Sequence, residues 1–170
     1  ICANFIDATG AALMAPYRIF DRGGLRVALV GVTSPETASH EAFKDPDVAE
    51  AAFGFCEDGS GRALYEYVQD AVDKARSAGA GYVLLLSHLG TEGTEDCWTS
   101  RSLIAATEGI DAVLDSRAHM SACETVTDRD GHSVLLMAVG SHLSDLGAVN
   151  ISVEGKVSGV LITEDTINSY

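Results

Sequence analysis

Hydrophobic positions crowd most densely at Tyr82-Val83-Leu84-Leu85-Leu86-Ser87-His88-Leu89-Gly90, an apolar run that starts after Gly81 and stops abruptly at Ser-His. A continuous run of this length between glycines fits a strand buried on both faces. Two further runs, Met14 to Phe20 and Leu25 to Val32, flank the turn signal Asp21-Arg22-Gly23-Gly24 and predict a hairpin. Thr33-Ser34-Pro35-Glu36-Thr37 then leaves the second strand. Residues 38–60 read as irregular, broken by Asp45-Pro46-Asp47 and Glu57-Asp58-Gly59. From Gly61 to Gly79 the spacing changes. Leu64, Tyr67, Val68, Ala71, Val72 and Ala75 recur with helical period and make one apolar face, with Gly79 as the C-terminal stop. After the central run, Thr91 to Thr99 is a polar loop holding Trp98. Thr99 or Ser100 caps a helix to about Thr107, closed by Gly109. Ile110 to Leu114 is a second buried strand, running into Asp115-Ser116-Arg117-Ala118-His119. Beyond it the chain turns β-rich: Glu124 to Thr127, Ser133 to Val139, Gly147 to Val153 and Val157 to Thr163, joined by turns at 128–131 and 154–156. The whole predicts an α/β fold, a mixed β-sheet with helices on one face and a β-rich C-terminal part.

Composition narrows the function classes. At 170 residues, 46% of them hydrophobic, the chain is long enough for one domain with its own core, and no segment approaches a membrane-spanning length. A formal net charge of −14 argues against nucleic-acid polymers and anionic membranes as partners, because phosphates need Lys and Arg to neutralise them. A small anionic substrate still fits an acidic protein when metal cations stand between the two. Cys2, Cys56, Cys97 and Cys123 show no CxxC spacing, which excludes a zinc knuckle and a thioredoxin motif and assigns no disulfide. Ile1-Cys2-Ala3-Asn4 has no initiator methionine and no signal-type segment, so the chain reads as a piece of a larger protein.

Candidate chemistry sits where strands end. In open α/β sheets ligands lie beyond the carboxyl ends of the strands, and His88 stands there. Imidazole serves both proton transfer and metal ligation near neutral pH. The local sequence fits equally a histidine that only caps its strand by bonding a backbone carbonyl. His119, after the next strand, would lie beside it and makes a two-histidine candidate site. No carboxylate is clearly placed to complete it. Asp115 is nearest, but it directly ends a buried strand and suits a loop cap. His40 and His132 read as solvated. His142 reads as surface, though its loop could reach the same end of the sheet.

A family resemblance rests on several segments in order: Ala3-Asn4, Pro16-Tyr17, Gly31-Val32-Thr33-Ser34-Pro35-Glu36-Thr37, Gly54-Phe55-Cys56, Ser87-His88-Leu89-Gly90, Trp98-Thr99-Ser100, Gly109-Ile110-Asp111 and the loop from Asp115 to His119. Together they resemble the bacterial 5'-nucleotidase and 2',3'-cyclic-nucleotide phosphodiesterase group of calcineurin-like metallophosphoesterases, over nearly the whole chain. The resemblance implies the C-terminal half of a four-layer α/β/β/α catalytic domain. It implies a phosphoester hydrolase with two divalent ions, such as manganese or zinc, that activate water and hold phosphate oxygens. His88 matches the family's histidine ligand after the central strand. Asp115-Ser116-Arg117-Ala118-His119 matches the pattern Asp-Gly-His-Ser-His, so His119 matches its second histidine, a ligand of the other metal. Arg117 replaces the first, and a guanidinium offers a metal no lone pair. It could instead hold a phosphate. The family's Asp-x-His, Gly-Asp and Gly-Asn-His motifs would lie upstream and do not occur here. The expectations are therefore a fragment inactive in isolation, a nucleotide substrate and a missing N-terminal half as partners, and an extracellular or cell-surface setting. The alternative is a noncatalytic ligand-binding or interaction module of the same fold. A homodimer is expected to cover the runs Leu25 to Val32 and Tyr82 to Leu86.

Overall fold

In the computed structural model the described residues are 1–39, 53–92, 96–163 and 165, so His40 and the breakers at 45–47 lie outside them. The elements in chain order are β1 (Ile6–Asp7), β2 (Tyr17–Arg22), β3 (Leu25–Thr33), a 3-10 segment (Pro35–Ser39), β4 (Phe53–Gly54), α1 (Arg62–Ser77), β5 (Tyr82–His88), a 3-10 segment (Asp96–Trp98), α2 (Ser100–Ala106), β6 (Ala112–Asp115), β7 (Ala122–Thr127), β8 (Ser133–Ala138), β9 (Asp145–Ile151) and β10 (Val157–Thr163).

Six strands form the main sheet in the order β2-β3-β5-β6-β8-β7. Its four middle strands are parallel, and the outer strands β2 and β7 pair antiparallel to β3 and β8. The mixed α/β architecture expected from the alternation is thus observed. One consequence decides where the chemistry sits. Because β3, β5, β6 and β8 run the same way, Thr33, His88, Asp115 and Ala138 all end at one edge of the sheet.

Both helices cover one face. Leu64, Val68, Ala71, Val72 and Ala75 of α1, and Leu103 and Ile104 of α2, are buried with Ala28, Val30, Val83, Leu85, Val113 and Leu136 of the strands. Tyr67 is only partly buried, at the border of that cluster. Gly79 follows α1 with φ +90, a conformation that costs a residue with a Cβ far more than it costs glycine. α2 begins at Thr99, whose hydroxyl accepts the Ser102 N–H at 3.2 Å.

The opposite face departs from expectation. The central strand is not buried on both sides. Val83, Leu85 and Ser87 are buried, whereas Leu86, on the other face, is 40% exposed. In register with Leu86 lie Gly31 and Leu114, and Leu114 is only half-buried. The β9–β10 hairpin covers the far end of this face. Its Gly147 and Gly159 lie against Met137, so close that a Cβ at these glycines would come 2.5 Å and 2.3 Å from Met137 Sδ and Cε. Nearer β2, Phe20 is 38% exposed, whereas Ile1 packs over Gly31 of β3 and the turn at Gly155 reaches Tyr82 of β5.

The four cysteines are free thiols. Cys123 is exposed, Cys97 half-buried, and Cys2 and Cys56 are buried. Burial, reinforced by the charges of Glu57 and Asp58, pushes the Cys56 thiol from its usual value near 9 up to about 12. Below about pH 9 both folded and unfolded chains keep this proton. As pH rises from about 9 toward about 12 only the unfolded chain releases it, so stability falls by up to about 1.4 kcal/mol per pH unit. Urea unfolding at about pH 8 and about pH 10.5 should show that loss, and a Cys56→Ala variant should show a smaller one. Equal pH slopes for the two proteins would remove Cys56 as its source.

Candidate functional site at the carboxyl ends of the parallel strands

Three loops converge at this edge. Ser34 to Ser39 follows β3, Leu89 to Glu92 follows β5, and Ser116 to Ser121 follows β6. Their junction is organised by Asp115. Its carboxylate is buried and accepts the Gly90 N–H at 3.0 and 3.2 Å and the Arg117 N–H at 2.9 Å. It also accepts the Ser100 hydroxyl, which is hydrogen-bonded in turn to Ser87 Oγ at 2.8 Å. One side chain therefore ties the start of the β5 loop, the start of the β6 loop and the first turn of α2 together. The reading of Asp115 as a loop cap agrees with this arrangement. Gly90 must be glycine here: its φ is +90, and a Cβ would lie 2.7 Å from the Glu92 carbonyl oxygen.

His88 is exposed at the last position of β5, and its Nδ1 lies 3.3 Å from Ser116 Oγ. Its strand is adjacent to β6, so His119 leaves the same edge of the sheet one loop away. His119 is also exposed and has φ +51, in the left-handed region that few non-glycine residues enter. His142 lies in the loop after β8, at the same edge, and is exposed with φ +58. His132 faces away at a turn. Its side chain is mostly exposed, with Nδ1 3.6 Å from Asp128 Oδ2. A cleft of about 400 Å³ opens beside His88, lined by Val32, Leu86, Leu114, Asp115, Ser116 and Val139 among others. A larger hollow of about 620 Å³ lies between β10 and β7, away from the strand ends. The cleft beside His88 is the better candidate because it joins an imidazole to the sheet edge where α/β sites form.

Arg117 is held by protein oxygens. Nη1 donates to Ser34 Oγ at 2.9 Å and to the Leu89 carbonyl at 3.1 Å, and Nη2 donates to the Glu36 carboxylate. No local pattern in the sequence points to the Glu36 partnership, since 81 residues separate the pair. Nor did it show that Ser100, placed only as a helix start, belongs to this junction. The one available signal was Ser34-Pro35-Glu36 directly after a strand, two oxygen-bearing side chains at a carboxyl end.

Among the described residues no three His, Cys, Asp or Glu side chains come close enough together to hold a divalent metal. Asp115 has both oxygens committed to Gly90, Arg117 and Ser100, and the guanidinium of Arg117 has no lone pair to give. The described residues do not by themselves fit a metal ion.

No protein-family model matches the sequence, and no curated protein matches it. Solved structures do. The sulfate thiohydrolase SoxB of Thermus thermophilus is 26% identical, with a TM-score of 0.71 over 96% of this chain and 27% of its own. The calcineurin-like phosphoesterase YfkN of Bacillus subtilis is 18% identical, with a TM-score of 0.70 over 96% of this chain and 55% of its own. A 5'-nucleotidase precursor of Thermus thermophilus is 24% identical, with a TM-score of 0.68 over 98% of this chain and 34% of its own. Over nearly its whole length the chain therefore has the fold of the calcineurin-like metallophosphoesterases and 5'-nucleotidases, and it spans between 27% and 55% of these solved chains.

Proposed function

We propose that this chain is one segment, the C-terminal half, of the catalytic domain of a phosphoester hydrolase acting on nucleotides, and that it does not hydrolyse phosphoesters alone. The observation that carries the reading is that His88 ends β5 and His119 lies in the loop leaving the neighbouring β6, at one edge of a metallophosphoesterase-like sheet. In the assembled domain these two imidazoles would stand among ligands supplied by the missing half. The resemblance also supports an extracellular or cell-surface setting for the longer protein. No helix among the described residues is long and apolar enough to cross a membrane.

The test is release of phosphate from AMP, from a 2',3'-cyclic nucleotide and from an aryl phosphate, with added manganese or zinc. The chain alone should show no turnover. A longer protein carrying it should turn over, and His88→Ala or His119→Ala should cut that rate on the order of 100-fold. Metal-dependent turnover by the chain alone, abolished by His88→Ala, would overturn the fragment reading. One observation favours a second reading, a noncatalytic ligand-binding or interaction module: Arg117, which could otherwise grip a phosphate, is already engaged by Glu36. An inactive longer protein would select it.

The exposed Phe20 and Leu86 on this face are what the missing half would cover. In the isolated chain a second copy takes that place, and the expected state is a homodimer. Light scattering coupled to size exclusion reads this directly, and a strict monomer at tens of micromolar would exclude it.

A further inference from the structure

We propose that Arg117 is a built-in cation that clasps the loops leaving β3, β5 and β6, and that it makes this strand-end junction independent of metal. The partners of its guanidinium are a hydroxyl, Ser34 Oγ, a backbone carbonyl, Leu89 O, and a carboxylate, Glu36. Each oxygen comes from a different position around the site, and two different loops supply them. An all-oxygen set of hydroxyl, carbonyl and carboxylate is the donor chemistry of a hard divalent cation. Here a fixed fork of N–H groups meets it from a third loop.

The clasp is well supported on its own side. The Arg117 backbone N–H is held by Asp115, which also fixes Gly90, the residue after Leu89. The arginine thus reaches two loops with its side chain while its main chain is tied to one of them. The ion pair is largely withdrawn from water, with side-chain exposures of 30% and 24%. The guanidinium balances the charge of Glu36 with one nitrogen and donates to Ser34 Oγ and the Leu89 carbonyl with the other, so that one group joins oxygens of two loops.

The proposal does not depend on the catalytic reading, since its test uses no substrate. The test is thermal unfolding of the chain and three variants, with manganese, with zinc, with a chelator and with inorganic phosphate. The wild-type midpoint should not move with metal, chelator or phosphate. Arg117→Ala should lower it by about 4–10 °C. Added manganese should then recover part of that loss, because a cation can take the place of the guanidinium among Ser34 Oγ, the Leu89 carbonyl and Glu36. Arg117→Ala combined with Glu36→Gln should lose the response. Arg117→Lys, which keeps the charge without the fork, should fall between wild type and Arg117→Ala and serves as the reading if the alanine variant does not fold. Stabilisation of the wild type by stoichiometric manganese or zinc would overturn the proposal. So would phosphate binding that requires Arg117, or manganese responses equal in the presence and absence of Glu36.

Discussion

Asp115→Ala is expected to destabilise the chain by about 3–5 kcal/mol, one of the largest single effects in the molecule. The carboxylate is buried and satisfies the Gly90 N–H, the Arg117 N–H and the Ser100 hydroxyl. Alanine takes the acceptor from two backbone donors at a buried junction, and each such loss costs about 1–3 kcal/mol. Asp115→Asn should cost less, about 1–2 kcal/mol. Its single carbonyl oxygen can still accept from Gly90 or Arg117. Its amide can donate to Ser100 Oγ, whose own proton can turn to Ser87 Oγ at 2.8 Å. Urea unfolding of the three proteins measures both differences. An alanine variant within about 1 kcal/mol of wild type would mean that the junction does not rest on Asp115.

The ease with which the sheet could be read, and the difficulty of reading this junction, have one physical cause. Periodicity reports what a side chain does relative to its own element. Leu64, Val68, Val72 and Ala75 announce α1 because a helix repeats every 3.6 residues, and the whole buried stripe lies in one stretch of chain. Val157 to Thr163 was legible as a strand for the same local reason, and the structure puts β10 there. The sheet edge is different. Asp115 meets Gly90 and Ser100 from 25 and 15 residues away, and Arg117 meets Glu36 from 81. No local pattern encodes these meetings; strand order does. The β5 run misled in the opposite direction. An uninterrupted apolar run has the same sequence whether both faces are covered or one awaits a cover, so Leu86 reads as core and stands 40% exposed. Strand boundaries also moved: β2 begins at Tyr17 and not at Met14, and β6 at Ala112 and not at Ile110. In both cases an apolar residue outside the ladder extended the apparent strand.

Asn4→Asp, a change of one atom, is expected to destabilise more than Asn4→Ala at neutral pH. Asn4 is fully buried where three segments meet. Its Nδ2 donates to the carbonyls of Thr33 at 2.8 Å and Phe55 at 2.9 Å, and its Oδ1 accepts the Thr33 N–H at 3.1 Å and the Cys2 thiol at 3.2 Å. This amide pins the first residues of the chain and the segment after β4 to the end of β3, the strand whose loop carries Ser34 and Glu36. Alanine removes all four bonds, taking a partner from the Thr33 N–H and from the Thr33 and Phe55 carbonyls, for about 2–4 kcal/mol. Aspartate keeps the acceptor but turns the donor into a second oxygen facing two carbonyls. An ionised carboxylate there is repelled by both and has lost its water, so folding raises its pKa above the unfolded value of about 3.9. A group raised in this way is least costly below its unfolded pKa and most costly above its folded one. Once protonated, the acid can donate to one of the two carbonyls. The deficit of Asn4→Asp relative to wild type should therefore be larger than that of Asn4→Ala at pH 7 and should shrink as pH falls toward about 4, whereas the Asn4→Ala deficit stays constant. Paired urea titrations across that range give the comparison. If the aspartate deficit is flat with pH, or grows in acid, the carbonyls of Thr33 and Phe55 do not face this side chain as the hydrogen bonds require.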